Sequence, residues 1–424
     1  MLSKQAIGEY LETQTFPRGR SKERTEVSIL DEIVIVNGKR TPFGRFGGSF
    51  REVPSFELGG LVLRKVLEGL PVEKGEIDAV ILGLCLPGIG LSPARQAVLS
   101  AGFPVETNGL TIDRACCSAL SAVGIGANLI LTHQASLVIA GGMENMSRTP
   151  YLIPQMRWGA RLGDLTIRDE LVIRNAFLDM PMARYAGEVA VERGVDRKEQ
   201  DEWALRSHQR WAEAQGKGKF GEELVPVEIP SQKKERTWLM RDEHPRPDTT
   251  MEKLSALQPV YGSPTVTAGN ASGIADGATA TLLMSRKEAK KRGIEPLGRL
   301  VTYAPICGEP RESPLLPGVA IKKVLDQADL RLEEMKLIEI NEAFAAMPLV
   351  STLFLGDFDR GKTERIRERV NVNGGAIAIG HPIGATGARL LMHMLYELRR
   401  QGGGYGVVAI CGAIGQADAA IVEV

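Results

Sequence analysis

The sequence lacks a charge imbalance. Lys+Arg number 52 and Asp+Glu 52, a net charge of +0 over 424 residues. The absence of a basic excess argues against a nucleic-acid binder that works by counterion release, and against an anionic membrane surface. A cysteine framework is also missing. Cys85, Cys116, Cys117, Cys307 and Cys411 are odd in number and never spaced C-x-x-C, which argues against disulfides and zinc. No metal site is expected. No apolar run approaches the roughly 18 residues of a membrane span. The first residues, MLSKQAIGEY LETQTF, hold no apolar stretch of signal-peptide length, and Glu9, Glu12, Glu23 and Glu26 fit poorly with an acid-poor transit peptide. These features predict a cytoplasmic protein with free thiols.

What is present is a globular balance of 43% hydrophobic and 25% charged residues, at a length that supports more than one domain. Residues 1–27 are polar and aperiodic, and read as an extension. Ile33-Val34-Ile35-Val36 reads as a buried strand, as does Asp78 to Leu84. Ser118 to His133 has helical spacing and precedes Leu137-Val138-Ile139-Ala140-Gly141-Gly142, a strand ending in glycines. The second half repeats this grammar: Lys336 to Asn341 as a strand, a segment from Val370 to Ala376, a helix carrying Ala388, Leu391, Met392, Leu395 and Leu398, then a strand from Tyr405 to Gly412. Strands alternating with helices predict an α/β fold, here a duplicated one. The division expected is 28–148 plus 262–295 as a first domain and 296–424 as a second. Residues 149–261, rich in charge and Pro, with a helix around Gln200 to Gln215, form an insertion that shapes a binding site.

Three places could carry chemistry. Asp113-Arg114-Ala115-Cys116-Cys117-Ser118 turns a strand into a helix, and a thiol at a helix N-terminus is favoured as thiolate. In Gly380-His381-Pro382-Ile383-Gly384, within a glycine-rich loop, His381 is a candidate base. In Cys411-Gly412-Ala413-Ile414-Gly415 a cysteine ends a strand where free backbone N–H groups could meet an oxyanion. Each pattern alone is served as well by a buried structural cysteine or a turn histidine. Together they fit acyl transfer with an added proton transfer, since Cys116 and His381 hold equivalent positions in the repeat. Gly356-Asp357-Phe358-Asp359-Arg360-Gly361-Lys362-Thr363 satisfies the P-loop pattern, but two aspartates stand where phosphate must sit. It reads as a surface connection. No G-x-G-x-x-G follows a strand.

From about Ile33 to the C-terminus the chain resembles the thiolases, the acetyl-CoA acetyltransferases and 3-ketoacyl-CoA thiolases. The residues that carry the resemblance are Gly38 to Gly44, Asp113 to Leu120, Ala140 to Ser147, Thr267 to Gly273, Asn341-Glu342-Ala343-Phe344-Ala345, Gly380 to Ala385 and the Cys411 turn. The resemblance implies a five-layer αβαβα fold. It also implies cleavage of 3-ketoacyl-CoA by CoA, or the reverse condensation, through an S-acyl cysteine by a ping-pong route. Cys116 matches the nucleophile and His381 its base and a donor to the thioester oxygen. Asn341 matches the holder of a water at that oxygen, and Cys411 the second acid/base. The N–H groups of Cys116 and Ala413 match a second oxyanion hole. Ser272, Arg246, Ala343 and Phe344 match CoA contacts, and Lys233, Lys234, Arg236 and Arg241 are further basic residues near them.

CoA is then a substrate, with no permanently bound cofactor. Fatty acid metabolism, a homodimer or homotetramer and a β-oxidation partner are also implied. Two departures stand out. Ala413-Ile414-Gly415-Gln416 replaces a run of glycines, and its side chains could narrow the pocket. Met180-Pro181-Met182-Ala183 lacks a His that some short-chain biosynthetic members carry, which leans towards a degradative or broader substrate range. The rival readings are a ketoacyl-synthase-like condensing enzyme, which ordinarily has a second His where Cys411 stands, and a non-catalytic acyl-CoA-binding subunit. A nucleotide-binding P-loop would bind Mg-nucleotide and lose it in Lys362→Ala; calorimetric titration of the wild-type chain with MgATP is expected to give no heat of binding.

Overall fold

Four β-branched residues in succession, Ile33 to Val36, set the architecture, because a strand apolar on both faces must be covered on both. In the computed structural model they open strand β1 (Ile33–Arg40); Ile33 and Ile35 face one core, Val34 and Val36 another. The structure describes residues 32–424 apart from 89, 160, 173, 176, 177, 179 and 230–236, and at 174 and 175 the backbone alone. The expected extension at 1–27 and Lys233, Lys234 and Arg236 lie outside the described residues.

The chain continues through α1 (Ser55–Lys65), β2 (Ala79–Gly83), α2 (Pro93–Ser100), β3 (Asn108–Ile112), α3 (Ser118–Leu131) and β4 (Leu137–Asn145). The segment that follows carries α4 (Met182–Glu192) and α5 (Arg197–Gly216), and leads to β5 (Ala275–Ser285). Then come β6 (Gly298–Cys307), α6 (Leu316–Ala328), β7 (Met335–Ile340), α7 (Ala346–Leu355) and α8 (Arg360–Glu368). The chain ends with α9 (Thr386–Arg400), β8 (Tyr405–Gly412) and β9 (Gln416–Glu423). Among the described residues no helix is long and apolar enough to cross a membrane.

The duplication is visible in the pairing. One half-sheet runs β3-β2-β4-β5-β1 and the other β7-β8-β9-β6. In each, a parallel part (β3, β2 and β4; β7 and β8) gives way to antiparallel partners (β5 and β1; β9 and β6). The halves were expected as separate sheets. They join at one edge, where Val34 pairs with Arg299 and Ile35 with Gly298.

Three cores give the layers. Leu58 and Val62 of α1 and Val98 of α2 cover the outer face of the first half-sheet. Ile321 of α6 and Leu349 of α7 cover the outer face of the second. Leu120 and Val123 of α3 and Leu391 and Leu395 of α9 fill the space between, against Ile81 and Val138 on one side and Val408 and Ile410 on the other. The result is the five-layer αβαβα order.

One local reading changes and one holds. The segment expected to begin as a strand at Val370 forms a single bridge, Val370 to Ile338. Beyond it the Asn371 side chain takes over the backbone's part: its Oδ1 accepts from Ile340 N at 2.9 Å and its Nδ2 donates to Ile340 O at 2.8 Å. The P-loop-like stretch connects α7 to α8 and runs into the first turn of α8, with a helix and not a strand before it. Asp359 caps α8 by accepting from Lys362 N at 2.7 Å, so the carboxylate occupies one of the N–H groups that a phosphate would need.

Glycine lets the two halves touch at the backbone. A Cβ on Gly83 would lie 2.5 Å from Gly384 O, one on Gly387 2.6 Å from Leu120 N, and one on Gly142 would overlap Gly384 O outright. The loop before α9 is thereby seated on the N-terminus of α3. Gly142→Ala should push that loop away and destabilise the fold by about 1–3 kcal/mol, read as a lower midpoint in denaturant unfolding; an unchanged midpoint would show that the contact is compliant.

Candidate active site

Between β3 and α3 the chain makes a strained elbow. Ala115 has φ +50, a left-handed conformation that costs energy for a residue with a side chain. Local bonds hold it. Asp113 Oδ1 accepts from Ala115 N at 2.8 Å; Ser118 Oγ accepts from Arg114 N at 2.8 Å and donates to Ala115 O at 2.6 Å. Arg114 also pairs with the buried Asp418 of β9 at 2.6 Å, tying the elbow to the other half. Cys116 follows, buried, just before the helix; Cys117 Sγ donates to Ile410 O at 3.5 Å, so the elbow lies against the strand end that bears Cys411.

His381 comes from the equivalent place before α9. Its N–H donates to Gly273 O at 2.9 Å. Thr386 Oγ1 donates to Pro382 O at 2.9 Å and lies 2.7 Å from His381 Nδ1. The hydroxyl's one proton is thus committed, so Nδ1 carries the ring proton and Thr386 accepts it. Nε2 is left with its lone pair, 3.3 Å from Asn341 Nδ2, which donates to it. Asn341 Oδ1 is buried and has no partner. It is an acceptor available to a water, the part the resemblance implies for Asn341.

A cavity of about 740 Å³ opens in front of this group. Cys116, His381, Ser272, Arg246, Ala343 and Phe344 all line it, together with the apolar Met146, Leu171, Pro181, Met182 and Ile383. Asn341 stands behind His381, and Cys411, fully buried, behind the Cys116 elbow. Ala413 begins the turn between β8 and β9. Arg241 is exposed and is not among the lining residues. The fear that the non-glycine turn narrows the cavity is not met. Neither Ala413 nor Ile414 lines it; Ile414 is 41% exposed at φ +63, so the departure costs backbone strain rather than space.

The helix terminus that favours a Cys116 thiolate is opposed by burial. Burial dominates and pushes its thiol well up, with Cys411 and Glu144 adding to the effect. Burial likewise drives Cys411 up to about 12. His381 is driven down to about 3, by burial first and Arg389 second. Burial therefore favours a thiol and a neutral imidazole at rest. A value depressed in the folded state means stability present above pH 6.5 and lost as pH falls towards about 3, since the buried ring resists protonation.

Three further residues position the site. Buried Glu144 accepts from Gly384 N at 2.8 Å, Cys85 N at 3.1 Å and Leu86 N at 3.1 Å, and burial raises its carboxyl to about 7. Glu342, next to Asn341, accepts from Trp203 and Ser207 of α5 at 2.9 and 2.7 Å, and from Asn371 Nδ2 at 2.9 Å. The third is Thr386. Glu144 and Glu342 lie inside segments already singled out, but only their burial reveals a role. For Thr386 the one available signal was a hydroxyl in the first turn after the histidine loop.

Comparison with known proteins places these residues in context. Residues 33–287 match the family model "Thiolase, N-terminal domain" and residues 294–424 the model "Thiolase, C-terminal domain". The acetyl-CoA acetyltransferase of Cupriavidus necator is 40% identical over 399 residues, covering 93% of this chain and 100% of that protein. The human mitochondrial 3-ketoacyl-CoA thiolase is 39% identical over 403 residues, covering 94% and 99%. Its crystal structure superposes with a TM-score of 0.88 at 38% identity, over 93% of this chain and 100% of that one. A crystal structure of the same human protein in complex with CoA gives 0.87 at 38% identity, over 93% and 98%.

Thr386→Val removes the acceptor that fixes the His381 tautomer. It should lower turnover roughly 10- to 100-fold, while Thr386→Ser, which keeps the hydroxyl, stays near wild type; steady-state kinetics of the two variants side by side checks this.

Proposed function

This chain belongs to the thiolase family, and from that premise we propose that it works through an acyl-enzyme on Cys116. It is an acyltransferase, carrying out CoA-dependent thiolytic cleavage of 3-ketoacyl-CoA or the reverse condensation. The observation that carries the mechanism is the relay Thr386–His381–Asn341, which leaves one basic nitrogen in the cavity that also holds Cys116.

In cleavage, the Cys116 thiol gives its proton to His381 Nε2 as its sulfur attacks the 3-keto carbon. The C2–C3 bond breaks, its electron pair passing to the acetyl-CoA fragment, which takes a proton from the Cys411 thiol. CoA then enters and loses its thiol proton to the Cys411 thiolate. Its sulfur attacks the acyl group, and Cys116 leaves with the proton held by His381. Protons and charges return to the start. The acyl-enzyme divides one difficult exchange into two easier ones. Donors at the carbonyl oxygen should be the largest contribution. We assign these to His381 and an Asn341-held water on one side, and to the N–H groups of Cys116 and Ala413 on the other.

The same reading assigns Ser272, Arg246, Ala343 and Phe344 to CoA, with 149–261 as the inserted part beside the 28–148 plus 262–295 and 296–424 domains. Support comes from the cavity lining, which takes Leu171, Met182, His244 and Tyr261 from that insertion. Pro181 and Met182 make one wall apolar, which favours a degradative enzyme of fatty acid metabolism. A homo-oligomer fits the exposed Leu110 on edge strand β3 and the hairpin around Trp158 and Leu162, which are 88% and 100% exposed.

Cys116→Ala should abolish the mass increment that acetyl-CoA leaves on the protein, together with all turnover. Cys411→Ala should still acylate but lose condensation by about 100-fold or more. Intact-protein mass spectrometry and an acetoacetyl-CoA assay read the two steps; a Cys116→Ala enzyme that turns over would end the assignment.

A further inference from the structure

Two strained turns meet beside Cys116. Ala115 in the elbow has φ +50, and Ile414 in the turn between β8 and β9 has φ +63. Each adjoins a residue whose N–H is assigned to the same oxyanion site: Cys116 follows Ala115, and Ala413 precedes Ile414. The two segments touch. A Cβ on Gly412 would lie 3.0 Å from Arg114 O and 3.1 Å from Cys117 Sγ. Gln416, half-buried and paired with Gly412 across the β8–β9 hairpin, spans this contact. Arg114 Nε donates to Gln416 Oε1 at 3.2 Å, and Gln416 Nε2 donates to Ala413 O at 3.2 Å. A guanidinium can only donate and a carbonyl only accept, so the two partners fix which way the amide faces. The bridge is anchored at its far end. Arg114 Nη1 donates to Asp418 Oδ1 at 2.6 Å, and Asp418 Oδ2 accepts from Ser121 Oγ and from Tyr303 Oη. Gln416 itself does not line the cavity.

We propose that Gln416 is a positioning residue for acyl transfer, holding the Cys116 and Ala413 N–H groups at the separation that one developing oxyanion requires. The inference rests on the reading that these two groups form an oxyanion hole. When the Cys116 sulfur attacks a thioester, a carbonyl electron pair moves onto oxygen, and the CoA sulfur leaves as that pair returns. Both N–H groups must converge on the oxygen while it carries the charge. They come from different halves of the fold, and the Gln416 amide is bonded to both segments. A carboxylate in its place could accept from Arg114 but not donate to Ala413 O, and an aliphatic chain could do neither.

Gln416→Leu removes both bonds. Gln416→Glu keeps an acceptor for Arg114 and loses the donor to Ala413 O. Wild type and both variants are mixed with acetyl-CoA at a series of concentrations, and protein mass is followed by rapid quench. The limiting rate of acylation should fall about 10-fold or more in each variant. The half-saturating acetyl-CoA concentration should stay within about 2-fold of wild type, since ground-state binding does not use the oxyanion donors. Alkylation of Cys116 by iodoacetamide, read on the Cys116 peptide, is the control, because that displacement makes no oxyanion. It should also stay within about 2-fold. A wild-type limiting rate in either variant would overturn the proposal. So would a raised half-saturating concentration alone, or acylation and alkylation falling together. If the wild-type protein itself is not acylated, the acyl-enzyme reading fails instead.

Discussion

The carbonyl of Gly384 resting on Gly83 and Gly142 is the contact on which the site depends. A side chain at either glycine would hold the His381 loop away from the end of α3. With none there, the base, carried by one half of the duplicated fold, meets the nucleophile carried by the other. Glu144 fastens the same place from the opposite side, accepting from Gly384 N and from the two backbone amides after β2. Close backbone approach and a buried carboxylate therefore do together what a covalent crosslink would do in a smaller protein.

That closeness has an electrostatic result. Cys116, Cys411 and His381 are all removed from water, and desolvation outweighs any help from the helix end. Desolvation thus favours protonated thiols and a neutral imidazole. Charge then appears only as substrate bonds are made and broken, where fixed donors can meet it at no cost of reorganisation. Thr386 settles which imidazole nitrogen takes the proton, and Asn341 marks that nitrogen from the other side.

Much of this was legible beforehand. The β-branched run at Ile33 to Val36 required cover on both faces, and the repeated order of strand, loop, helix and strand required a duplicated fold. Cys116, His381 and Cys411 stood at recognisable strand and helix ends. What stayed hidden depends on three-dimensional neighbours. Asn371 completes a sheet with its side chain, which no β-propensity signals. The protonation of Cys116 turns on burial by segments far along the chain. Thr386 acts through the single proton of its hydroxyl, a matter of rotamer and not of residue type. Ile414 broke a glycine pattern, yet its side chain points to solvent, so the break altered conformation without altering the cavity.

The edge pairing of β1 with β6 and the shared core of α3 and α9 bear on how the protein is made. A growing chain exposes Cys116 long before residue 381 has been synthesised. During that interval the cysteine has neither its base nor the walls that orient a thioester, so it is an ordinary thiol. Reactivity arrives only when the last third of the polypeptide has folded back between the layers of the first. Completion of the fold and the onset of chemistry are then one event, which spares the unfinished chain from premature acylation.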